Sequence, residues 1–130
     1  MEPRNLAPLA ETFDGLYGLE VTSVTDEEVR GRVDVRPELK QAAGLLHGGV
    51  LAAMAESLAS MATWLAVRAE GRAVMGMANA TSFLRPITEG SVSAVGRARH
   101  RGRTTWVWDV DFTDDAGRLC ATTRMTIAVR

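Results

Sequence analysis

Cysteine is nearly absent from this chain. The single residue, Cys120, excludes an internal disulfide framework and a cysteine-rich zinc site, and is read most simply as a small buried apolar residue. Net charge is missing too: 15 basic residues stand against 16 acidic ones, a formal −1, so no global field is available to hold a polyanion or an anionic bilayer. Neither nucleic acid nor a membrane is expected as a partner. Residues 1–10 include Glu2, Pro3, Arg4 and Pro8 and lack the apolar core of a secretory signal, which gives the expectation of a cytoplasmic protein. Repeats, low-complexity tracts and linkers are lacking. With 130 residues, 46% hydrophobic and 24% charged, the composition suits one compact domain spanning 1–130.

What is present begins with one long helical stretch, from Gly48 to about Arg68. Val50, Leu51, Met54, Leu58, Met61 and Leu65 recur at three- and four-residue spacing, and alanines fill much of the rest. A helix apolar nearly all round is buried or membrane-spanning. Glu56, Ser57, Ser60 and Thr63, with His47, Gly48 and Gly49 at the start, favour burial, with a sheet wrapped closely around the alanines. A shorter helix is expected over Leu6 to Phe13, closed by Gly15. Leu19 to Val24 and Val29 to Val35 read as a hairpin around Thr25-Asp26-Glu27-Glu28, and Pro37 ends the pairing. Four more strands follow, Ala73 to Phe83, Ser91 to Arg99, Thr104 to Thr113 and Arg118 to Val129, the last two a hairpin around Asp114 to Gly117. No parallel-crossover rhythm is present. The fold class is therefore α+β, a mostly antiparallel sheet on one central helix. Trp106 and Trp108 share one strand face and read as packing or interface residues, and Met54, Met61 and Met75 as core.

Glu56 needs explaining, because a carboxylate on an alanine-rich helix is costly to desolvate unless it is paired or functional. No lysine or arginine lies three or four residues from it on the helix. Two readings stand: a solvated edge or an arginine from the sheet, and a catalytic carboxylate. Ser60, one turn later, falls on the same face. Gln41 through Gly49 supply a second cluster. The Gly48 and Gly49 amides begin a helix, have no partner inside it, and with its dipole favour a developing oxyanion. Gln41 adds a side-chain amide donor, and His47 reads equally as cap, packing residue or catalyst. Metal ligation is not expected, because His47 and Glu56 lack helical ligand spacing and His100 is distant in sequence. Glu56 lies about 12 Å along the axis from the glycine amides, so one chain does not readily bring acid and donors to one carbonyl. A two-fold dimer with antiparallel central helices does, which predicts composite sites at a subunit interface.

The segment Gln41 to Val50, with Ala55-Glu56-Ser57 and Ser60, resembles the active-site region of hotdog-fold acyl-CoA thioesterases. The resemblance points to the PaaI-like group, which includes 1,4-dihydroxy-2-naphthoyl-CoA and 4-hydroxybenzoyl-CoA thioesterases. It extends through Phe83-Leu84-Arg85-Pro86, His100 to Arg103, Trp106-Val107-Trp108 and Asp114 to Leu119. It implies a hotdog fold, a homodimer pairing into a homotetramer, and hydrolysis of an acyl-CoA, with an aryl-CoA expected. No cofactor is implied, coenzyme A being part of the substrate. Residue by residue, Glu56 matches the family's catalytic carboxylate and Ser60 the hydroxyl one turn on. Gln41 and the Gly48 amide match the groups that polarise the carbonyl, with His47 beside them; the two sets come from neighbouring subunits. Arg85, Arg101 and Arg103, with Thr104, are candidates for the coenzyme A phosphates, beside the ordinary reading as solvated edge residues. Two alternatives accompany this: a hotdog hydroxyacyl-thioester dehydratase, and a non-catalytic acyl-CoA-binding module.

Overall fold

Alternation along the strands decides which face of the sheet is buried. Along residues 105–113, Trp106, Trp108, Val110 and Phe112 are buried while the residues between them are not; residues 28–34 bury Val29, Gly31 and Val33 in the same way. In the computed structural model, which describes residues 6–130, these rows belong to one antiparallel sheet. Its strands are β1 (Glu20–Val24), β2 (Glu28–Asp34), β3 (Val74–Phe83), β4 (Ser91–Arg101), β5 (Thr105–Thr113) and β6 (Leu119–Val129), in the order β1-β2-β4-β5-β6-β3. The short helix α1 (Phe13–Tyr17) precedes the sheet, and the long helix α2 (Gly48–Val67) packs against β2 through β6. This is the α+β architecture expected, with the β1–β2 and β5–β6 hairpins in place.

Met54, Leu58, Ala55, Ala59 and Ala62 of α2 are fully or almost fully buried against the sheet. Each large one contributes roughly 1.5–3 kcal/mol by leaving water. Trp106 and Trp108 stack with centroids 6.1 Å apart and are both buried, so they are packing residues. The Trp108 indole N–H donates to Thr63 Oγ1 at 2.9 Å, and that hydroxyl donates to the Ala59 carbonyl at 2.8 Å. Among the described residues, no buried side-chain nitrogen or oxygen lacks a partner. Cys120 is buried, as expected.

Two expectations are corrected. The N-terminal helix is not Leu6 to Phe13: a 3-10 turn covers Leu9–Glu11, and α1 starts only at Phe13. Thr12 ends the turn, its hydroxyl donating to the Leu9 carbonyl, and Gly18 with φ 82° closes α1; Gly15 lies inside the helix, where a Cβ would strike the Ala10 backbone. Met75 does not fill core. It is 68% exposed, because β3 is an edge strand that pairs only with β6, so its neighbour on one side is missing, whereas Met54 is buried and Met61 half-buried.

Candidate active site

The start of α2 is held by five backbone and side-chain bonds around residues 39–50. The Gln41 N–H donates to the Leu45 carbonyl (2.8 Å), the Leu46 N–H to Ile87 (2.8 Å) and the His47 N–H to Leu39 (2.8 Å), which fixes where the helix begins. His47 is the N-cap: its Nδ1 accepts the Gly49 N–H at 2.8 Å. The Val50 N–H donates to the His47 carbonyl at 3.0 Å. The Gly48 N–H is left without a partner among the described residues. Of the two glycine amides read as oxyanion donors, the structure therefore leaves Gly48 available and commits Gly49 to the cap. A Cβ on Gly48 would lie 2.7 Å from the Phe83 ring, so a larger residue there requires that exposed ring to shift.

Gln41, His47 and Gly48 line one cleft of about 560 Å³, together with Phe83, Leu84 and Arg85. Gln41 Oε1 accepts the Ala43 N–H at 2.6 Å, which leaves the side-chain NH₂ as the end free to donate. Two donors thus belong to one largely apolar cleft, at the positive end of a 20-residue helix.

Glu56 and Ser60 do not line this cleft. Glu56 is exposed on α2, beside β3, and among the described residues it makes no ion pair, so the arginine-paired alternative is not what the chain adopts. Its carboxylate sits over Gly76 of β3, where a Cβ would come within 3.2 Å of Glu56 Oε1. Ser60 is half-buried one turn further on. Of the proposed phosphate contacts, Arg85 lines the cleft. Arg101 pairs with Asp26 at 3.0 Å and Glu27 at 3.7 Å, while Arg103 and Thr104 form the β4–β5 turn, their carbonyls accepting from Arg72 and Arg130.

The sequence reading missed the polar group next to Glu56. Asp14 Oδ1 accepts the Tyr17 hydroxyl at 2.5 Å and the Ser57 hydroxyl at 2.7 Å, tying α1 to α2. Burial, more than the hydrogen bond to Asp14 or the neighbouring negative charges, pushes the Tyr17 phenol far above its ordinary range, so it stays protonated and donating. No periodicity marks a five-residue helix. Gly76 was also missed; an isolated glycine inside a strand pattern is the available signal for a close approach.

One long helix in the wrap of a six-stranded antiparallel sheet, with a free amide at its start and an unpaired carboxylate two turns on, is the hotdog class of protein. The Thioesterase superfamily profile matches residues 43–121. Protein Rv1847 of Mycobacterium tuberculosis is 44% identical over 123 residues, 92% of this chain and 88% of its own. Its solved structure matches with a TM-score of 0.86 at 40% identity, covering 89% of this chain and 94% of that one. Proofreading thioesterase EntH of Cronobacter turicensis is 38% identical over 112 residues, 86% of this chain and 81% of its own. A mutant of thioesterase PA1618 from Pseudomonas aeruginosa matches with a TM-score of 0.88 at 36% identity, covering 93% and 87%. This chain belongs to the Thioesterase superfamily, and its relatives support thioester hydrolysis as its general chemistry.

Proposed function

We propose that the protein hydrolyses an acyl-CoA, with an aryl-CoA as the preferred class, at composite sites formed by two copies of the chain. The thioester carbonyl accepts from the Gly48 N–H and the Gln41 amide of one subunit. These bonds strengthen as the oxygen becomes an oxyanion, each worth about 3 kcal/mol in the transition state. The partner's Glu56 supplies the carboxylate, as base toward water or as nucleophile giving a mixed anhydride, with the partner's Ser60 beside it. Arg85 is the proposed phosphate contact from within the cleft; Arg101, Arg103 and Thr104 lie outside it.

One observation carries the reading: capping by His47 consumes the Gly49 amide and leaves the Gly48 N–H in the same cleft as the free end of Gln41. The distance along α2 and the exposed edge of β3 beside Glu56 support a second copy as the source of the acid. Thiol release from benzoyl-CoA tests it. Glu56→Ala should abolish turnover, and Gln41→Ala should lower it about a hundredfold. Parent-rate hydrolysis by Glu56→Ala contradicts the proposal. Enoyl absorbance changes without thiol release would indicate the dehydratase, and tight binding without either the binding module.

A further inference from the structure

Edge strand β3 carries a β-bulge where it passes Glu56. Gly76 pairs with Ile127 and Ala78 with Thr126, so Met77 is an extra residue without a counterpart on β6, and it is 59% exposed. In a regular strand, residues three apart point to opposite faces. The extra residue cancels that, and Gly76 and Asn79 both face α2. Gly76 lies under the Glu56 carboxylate, and the Asn79 amide donates to the Ala52 carbonyl at 2.9 Å. Ala52 stands one turn before Glu56, and within α2 its carbonyl is the acceptor for the Glu56 N–H. We propose that Asn79 is a positioning residue for hydrolysis, clamping the turn of α2 that carries Glu56 to β3; this rests on the thioester reading above.

The clamp is itself oriented. The Thr81 hydroxyl donates to Asn79 Oδ1 at 2.7 Å and lies 2.8 Å from the Thr123 hydroxyl of β6. With its one proton committed to Asn79, Thr81 accepts from Thr123, which is buried. The row Thr123, Thr81, Asn79, Ala52 therefore runs donor to acceptor in one direction and turns the Asn79 NH₂ toward the helix carbonyl. Gly76 keeps the space beneath Glu56 clear while Asn79 holds the helix to the strand, so the two set the height of the carboxylate above the sheet. Little of this decides whether the chain folds. Asn79 is exposed, and the Ala52 carbonyl keeps its helical bond without it, so truncation strands no buried group. Catalysis responds more steeply, because a displacement of about 1 Å at the reacting groups costs on the order of a hundredfold.

The test measures kcat and KM for benzoyl-CoA and acetyl-CoA by thiol release in the parent, Asn79→Ala, Thr81→Val and Thr81→Ser, with urea midpoints for the parent and Asn79→Ala. Asn79→Ala should lower kcat about tenfold, by the same factor for each ester that the parent hydrolyses, with KM within about twofold of the parent and a parent-like midpoint. Thr81→Val, which leaves the amide unoriented, should lower kcat about threefold, and Thr81→Ser should restore it. Parent kcat in Asn79→Ala overturns the inference while the hydrolase reading stands. A loss carried by KM, or one that differs between the esters, also overturns it, since Asn79 would then be a contact of the substrate. A kcat that falls only in step with the urea midpoint assigns Asn79 to the fold alone and overturns it as well. A parent that hydrolyses neither ester refutes the thioester reading, leaving Asn79 no reaction to serve.

Discussion

A methyl group on Gly76 is the smallest change that should disturb Glu56 without touching it covalently. The added Cβ would lie 2.8 Å from Met125 Cε and 3.2 Å from Glu56 Oε1. Carbon pairs settle at about 3.5–4.0 Å, so the Met125 methyl must retreat by roughly 1 Å. An unbranched thioether allows this readily. Glu56 must give by a few tenths of an ångström. Stability should fall by about 1 kcal/mol, the low end for overpacking, because the tightest contact is the free end of a flexible chain. Catalysis is more sensitive: a misplacement of about 1 Å costs on the order of a hundredfold, so a fraction of that should lower kcat roughly three- to tenfold. Saturating thiol-release rates for Gly76→Ala, beside a urea midpoint on the same sample, separate the two effects. Parent kcat at parent stability would refute the reasoning, since the carboxylate would then not depend on the surface it rests on.

Two further predictions concern stability. Thr63→Val removes the hydroxyl that bonds both Trp108 and Ala59 and leaves a buried indole N–H unsatisfied. It should cost about 1–3 kcal/mol, while Thr63→Ser keeps the bond. Thermal melts should show roughly 4 °C per kcal/mol at this chain length, and equal midpoints for the two variants would count against the network. Asp114 accepts the Arg118 N–H, the Ala116 N–H and the Arg118 guanidinium in the β5–β6 turn. The Arg118 backbone bond is the largest of the causes that hold its carboxyl below the usual aspartate range. A lowered folded value contributes stability that is fully present above the ordinary carboxylate range and is lost as pH falls through that range to the folded value. The parent's advantage over Asp114→Asn in urea should therefore shrink between about pH 7 and about pH 3, and a difference independent of pH would refute the assignment.

The helix α2 was legible because six large residues repeat at helical spacing, and the hairpins because polar turns separate apolar runs. The architecture followed from the order of these elements. The exposure of Met75 was not legible, since β3 becomes an edge strand only through its pairing with β6, some 45 residues along the chain. Helix α1 escaped because one turn has no periodicity, and Gly15 offered a false stop ahead of Gly18. At the site, Gln41, Gly48 and Glu56 were visible as residue types. The division between Gly48 and Gly49 depends on where the His47 ring points, which only coordinates give. Arg101 shows the same limit: its partners Asp26 and Glu27 lie about 75 residues away in sequence.

Subunit complementation tests the composite site most directly. Glu56→Gln and Gln41→Ala chains carrying different tags are coexpressed, and the mixed dimer is purified and assayed for thiol release from benzoyl-CoA. If the acid and the amide donors of each site come from different chains, one site in the mixed dimer carries both substitutions and the other neither. The mixed dimer should then recover about half of the parent rate per dimer. Activity no higher than the mean of the two variant homodimers would mean that each site takes both parts from one chain.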